Sequence, residues 1–122
     1  MAKHTTQKAG DFGEDRAAAH LALHGYTCVA RGYHSRYGEI DIIAENDRFL
    51  LFVEVKTRRA GSLVSGREAV DFRKQQRLIA TAGLYLASHL TSLQPRFDVF
   101  CVELDSFGNC TNIEWIENAF GA

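Results

Sequence analysis

The apolar positions change period along the chain, and each change marks an element. From residue 8 to 24, Phe12, Ala18, Leu21 and the alanines recur at helical spacing, and Gly25 is a natural stop. Residues 26–31, YTCVAR, read as a first strand and HSRYG as the turn after it. GEIDIIAE, residues 38–45, reads as a second strand, with a hairpin turn at Glu45–Asp47. RFLLFVEVK, residues 48–56, is the third strand and pairs with the second. TRRAGSLVSG reads as a mobile loop by its Gly and Ser content. A second long helix is expected from residue 67 or 71 to 89, with Leu78, Ala82, Tyr85 and His89 along one stripe. The only proline, Pro95, precedes a fourth strand, RFDVFCVEL. A Gly-Asn turn then leads to a short fifth element, NIEWIENAF. This order, α-β-β-β-α-β-β, predicts an α/β fold with a mixed sheet and a helix on each face. The intervening helix is long enough for a crossover, so strands three and four can run parallel.

Composition narrows the class. The 122 residues suit a single domain, 1–122, that buries roughly two-thirds of its unfolded surface. Apolar content of 46% and charged content of 24% are those of an ordinary soluble globular chain. No apolar run approaches the roughly 18 residues of a membrane span. The first residues contain no apolar stretch of the signal-peptide kind. The expected compartment is the cytoplasm. Cys28, Cys101 and Cys110 are odd in number and far apart, with no zinc spacing, and read as reduced thiols. His20 and His24 stand four apart but lack the glutamate of a metalloprotease helix, and read as a solvated helix face.

The net charge of −1 is uninformative, but its distribution is not. Seven basic residues against two acidic lie between Lys56 and Arg77, and five acidic against one basic between Glu39 and Glu54. An acidic cluster feeding a basic stretch suits a cation site beside a polyanion site. The most apolar strand also ends in charge: Phe-Leu-Leu-Phe-Val runs into Glu54-Val55-Lys56. Side chains alternate along a strand, so Glu54 and Lys56 share a face. Glu39 and Asp41 likewise share one, with Ile40 and Ile42 opposite. The hairpin makes Asp41 and Glu54 cross-strand neighbours. Two carboxylates about 5 Å apart repel by roughly 3 kcal/mol at an effective dielectric near 20. Lysine offsets part of that, and a divalent cation offsets more, since Mg²⁺ prefers carboxylate oxygens. The competing reading of the same residues is a structural Glu–Lys ion pair with an unrelated Asp.

GEIDIIA followed a dozen residues later by FVEVKTR resembles the PD-(D/E)XK nuclease signature, a strand Asp before an (Asp/Glu)-x-Lys on the adjoining strand. The ordered set GDFGED-x-A, L-x-x-HGY, R-x-GEIDIIA, FVEVKTR, AVD-x-x-KQQRL and RFDV is similar to that of the YraN-like bacterial proteins. These are a family of uncharacterised function that resembles archaeal Holliday junction resolvases. One departure is Ile40, where the signature has proline. The resemblance implies a restriction-endonuclease-like sheet and a nuclease site using Mg²⁺ or Mn²⁺. It implies Asp41 and Glu54 as metal ligands, with the Val55 carbonyl beside them and Glu14 as an accessory carboxylate. Lys56 would hold the attacking water or stabilise charge on the phosphate, and Lys74 or Gln75 would approach the scissile phosphate. Arg58, Arg59, Arg67, Arg73 and Arg77 would then grip the nucleic acid without reading its sequence. The expected activity is that of an endonuclease, a hydrolase of DNA at branched or repair intermediates. The expected partners are DNA and, from junction symmetry, a second copy in a homodimer. The alternative is a nucleic-acid-binding or adaptor module with the same fold and little activity of its own.

Overall fold

The computed structural model describes residues 9–61 and 70–121. Helix α1 spans Ala9–Leu23. It stops where Gly25 takes φ 86°, which lets the Tyr26 N–H turn back to the Leu21 carbonyl at 3.0 Å. Strands β1 (Thr27–Ser35), β2 (Gly38–Glu45) and β3 (Phe49–Arg59) follow. The β2–β3 hairpin is closed by Asn46, whose Oδ1 accepts the Arg48 and Phe49 N–H groups at 2.8 and 2.7 Å. Helix α2 spans Phe72–Ser88, and Asp71 caps it by accepting the Lys74 N–H at 2.9 Å. Strands β4 (Gln94–Leu104) and β5 (Cys110–Phe120) complete the chain.

The element order is the expected one, and the sheet is mixed. Its strands lie in sequence order, antiparallel throughout except that β3 and β4 are parallel with α2 as their crossover. Several boundaries differ from the sequence expectation. β1 continues to Ser35, into the segment expected to turn. β3 continues through Thr57, Arg58 and Arg59, which had read as loop, because β4 pairs with it residue by residue from Phe49 to Arg59. Ladder hydrogen bonds outweigh weak local propensity there. Pro95 is the second residue of β4, and β5 is as long as β4 rather than short.

The sheet buries both faces. Beneath α2 lie Leu50 and Phe52 of β3, with Phe97 and Val99 of β4, against Leu78, Ala82 and Tyr85. His89, expected on that stripe, is the exposed C-cap and stacks on Tyr85 at 4.0 Å. Beneath α1 lie Leu51 and Val53, with Ile42, Ala44 and Phe100, against Ala17 and Leu21. Phe12, expected in that stripe, is exposed. α1 instead approaches the sheet through its small residues: a methyl group on Gly13 would collide with the Thr57 hydroxyl. His20 and His24 are not merely a solvated face. They stack on each other, and His20 meets Phe100 and Trp115 edge-on at 5.8 and 5.7 Å.

The fully buried Asp98 joins β4 to β5. Arg96 donates to it through Nε and Nη2 at 2.9 and 2.8 Å, Trp115 Nε1 at 2.8 Å, and the Asn118 N–H at 3.0 Å. Asn118 takes φ 51° to do so, next to the register shift between Phe97 and Val99. Asp98→Ala strands four donor groups of three residues and should cost about 3–5 kcal/mol in urea unfolding. Gly13→Ala should cost about 1–2 kcal/mol, overpacking outweighing helix propensity, and Thr57→Ala in the same chain should restore the loss.

Candidate active site at the parting of β2 and β3

β2 and β3 pair from Glu45↔Leu50 to Ile42↔Val53 and then separate. β3 goes on against β4, while β2 goes on against β1. Strict alternation along β2 ends at the same place. Ile42 packs on the α1 side and Ile40 on the α2 side, so they do not share a face as their spacing predicts. Asp41 lies at this break. Its Oδ2 accepts the Val55 N–H at 2.8 Å, a side chain taking the place of a ladder carbonyl.

Glu54 occupies the next position in the hairpin register, opposite Asp41, as expected. Its residue surface is 4% exposed. Lys56 Nζ lies 3.4 Å and Lys74 Nζ 3.6 Å from its Oε2. With both carboxyls ionised, its Oε1 is buried and has no hydrogen-bond partner. Leaving a buried oxygen unsatisfied costs about 1–3 kcal/mol, more for a charged group. Burial, the Glu54 charge, the Glu14 charge and a hydrogen bond with the Glu54 side chain push the Asp41 carboxyl up to about 8, against the opposing pull of the Val55 N–H. The shift favours a proton shared between the two carboxyls, where two like charges would otherwise meet.

The other candidates are distributed around this pair. Glu14, on α1, is engaged by Arg31 at 3.4 Å, and Arg31 also holds Asp15 at 2.9 Å. Among the described residues, no three Asp, Glu, His or Cys side chains are gathered as a ready metal cage. Lys74 reaches the site from the first turn of α2. Gln75 turns away, its Nε2 donating to the Val70 carbonyl at 3.1 Å. Arg58 and Arg59 lie further along β3, lining a groove of about 530 Å³ with Phe12, Leu104 and Asp105. Arg73 and Arg77 line a different groove, on α2. Arg67 lies outside the described residues. The basic stretch of the sequence thus divides between two places.

The donor set suits a hard divalent cation. Two facing carboxylates offer only oxygen, and the proton that bridges them is one that a cation would replace.

These features define an α/β chain with a mixed five-stranded sheet, a helix on each side, and paired carboxylates where two strands part. Residues 13–102 match the family model of the uncharacterised protein family UPF0102. A UPF0102 protein of Dichelobacter nodosus is 43% identical over 118 residues, covering 95% of this chain and 91% of that protein. One of Clostridium acetobutylicum is 41% identical over 115 residues, covering 93% and 94%. One of Desulforapulum autotrophicum is 44% identical over 115 residues, covering 93% of each. The chain belongs to the UPF0102 family, in agreement with the YraN-like resemblance of its motifs.

Asp41 gives the site a pH signature. Its carboxyl binds the proton more tightly folded than unfolded, where the ordinary value is 3.8. The stability it contributes is complete below pH about 4 and is lost as pH rises toward about 8. In EDTA, wild type should therefore lose about 1–3 kcal/mol relative to Asp41→Asn between pH 5 and about 8.5, after allowance for screening. Denaturant unfolding of both proteins across that range measures it; parallel pH profiles would refute it.

Proposed function

We propose that the chain is a metal-dependent nuclease that hydrolyses phosphodiester bonds of DNA, at branched or repair intermediates. The observation that carries this reading is the buried Glu54 carboxylate set against the Asp41 carboxyl, with two lysines on one of its oxygens. In this reading Asp41, Glu54 and the Val55 carbonyl hold Mg²⁺ or Mn²⁺, and Glu14 supports them from α1. A bound ion of this kind polarises a phosphate and acidifies water. Lys56, held at 3.4 Å from Glu54, keeps positive charge where the attacking water loses its proton and the phosphate gains negative charge. Lys74 brings a second ammonium from α2, 3.6 Å from Glu54, and in this reading meets the phosphate. The arginines supply affinity through the backbone of the nucleic acid, which favours recognition of shape over sequence.

A second reading, a nucleic-acid-binding module without turnover, is favoured by one observation. The gathered set stops at two carboxylates, with a shared proton favoured between them in the isolated chain. The two readings separate in one assay. Purified protein is incubated with a labelled four-way junction, a duplex and a single strand, in Mn²⁺, Mg²⁺ or EDTA. The nuclease reading expects cleavage that requires the metal and falls about 100-fold or more in Asp41→Asn and Lys56→Ala. It also expects calorimetric Mn²⁺ binding that Glu54→Gln removes while folding is retained. Salt-sensitive binding with no cleavage on any substrate would overturn it in favour of the module.

A further inference from the structure

Of the four phenylalanine and tyrosine rings exposed among the described residues, two lie together. Phe72, the first residue of α2, is 72% exposed, and Tyr37, in the turn between β1 and β2, is 42% exposed. The fold brings them together: Tyr37, Phe72, Arg73, Gln76, Arg77 and Ala80 line one open groove of about 420 Å³. Arg36 adds a third guanidinium, lying over the Tyr37 ring at 5.0 Å and donating to its hydroxyl at 3.0 Å. No carboxylate lines the groove among the described residues. The nearby Asp71 is turned to the helix backbone as its cap.

We infer that this groove is a stacking platform for an unpaired nucleobase, and that the preferred substrate therefore carries unpaired bases. The inference rests on the nuclease reading for its substrate but on separate residues for its site. The exposed Phe72 ring, beside a Tyr37 ring that carries Arg36 on one face, fits bases and their phosphates together and tolerates any base because every base has a π-face. A second copy of the chain fits less well. A two-fold contact through this patch would set Arg36, Arg73 and Arg77 against their own equivalents with no acid between them. The place also suits a strand running through the candidate site. Lys74, two residues beyond Phe72, reaches Glu54, and Tyr37 is four residues before Asp41, about 13 Å along a strand at about 3.3 Å per residue. A base on the platform would thus belong to a nucleotide a few positions from the phosphate at the carboxylate pair.

The test is made in EDTA, where metal-dependent cleavage is silent, so its outcome is independent of turnover. Anisotropy measures affinity for a single strand, a gapped duplex and a full duplex of one sequence. Phe72→Ala and Tyr37→Ala, both at exposed positions, should each weaken single-strand and gapped binding about 5- to 100-fold and leave duplex binding within about twofold. Arg73→Ala and Arg77→Ala should weaken all three and flatten the salt dependence. A 5-iodouracil in the gap should photocrosslink to Tyr37 or Phe72 in peptide mapping. Equal losses on single strand and duplex, crosslinks confined elsewhere, or a dimer that Phe72→Ala dissociates would overturn the inference. Should the platform hold while the wild type cuts nothing in Mn²⁺, the nuclease reading fails and the binding surface stands.

Discussion

Everything at the candidate site depends on one hydrogen bond, from the Val55 N–H to the Asp41 carboxylate. β2 leaves β3 after Ile42, and a strand that loses its neighbour exposes donors that must be satisfied. A side chain does this at Val55, which has two effects. The strand stays extended so that Glu54 and Lys56 project together toward α2. The Asp41 carboxyl is also fixed at the mouth of the gap, against Glu54, and cannot swing away from it. Repulsion between the carboxyls is the cost of that fixation, and a proton shared between them together with two ammonium groups on Glu54 relieves it.

The rest of the sheet is built to keep this gap in place. On the far side of β3, β4 matches it over eleven residue pairs, and Asp98 locks β4 to β5 with side-chain and backbone donors. Apolar packing alone fixes relative position loosely. A buried carboxylate with four donors allows one arrangement, because any slip strands several charged or polar groups at once. α2 is located by packing and also by a short polar contact, Ser35 Oγ to Thr81 Oγ1 at 2.7 Å. Lys74 can therefore meet Glu54 although it comes from another element.

How much of this could be read in the residue pattern follows from what each feature depends on. The Asp41–Glu54 pairing was legible, because a short hairpin and a two-residue period determine which positions face each other. The element order was legible for the same local reasons. The parting of β2 from β3 was not, since it reflects competition between β1, β3 and β4 for partners, and it moved Ile40 to the other face. The length of β3 was hidden because Thr57, Arg58 and Arg59 have loop-like neighbours, and only the parallel ladder holds them extended. Asp98 gave a faint signal, an acid between Phe97 and Val99 with Arg96 nearby, but Trp115 and Asn118 reach it only through the β4–β5 register. Tyr37 and Phe72 lie 35 positions apart, and only the docking of α2 over the β1–β2 turn joins them. The basic stretch looked continuous along the chain, and the crossover divided it.

The strands lie side by side in the order in which they are synthesised, and this bears on assembly at the ribosome. Each antiparallel neighbour can pair as soon as its own turn has emerged, so β1, β2 and β3 form a meander from short-range contacts. Asp41 and Glu54 both belong to that meander. The nascent chain therefore faces its carboxyl repulsion early, before α2 has emerged to bring Lys74. β3 meanwhile offers an open edge until the whole crossover is complete and β4 arrives in parallel, the slowest kind of pairing to close. β3, the strand that carries Glu54 and Lys56, is thus the one most in need of protection during synthesis, along the edge opposite the site.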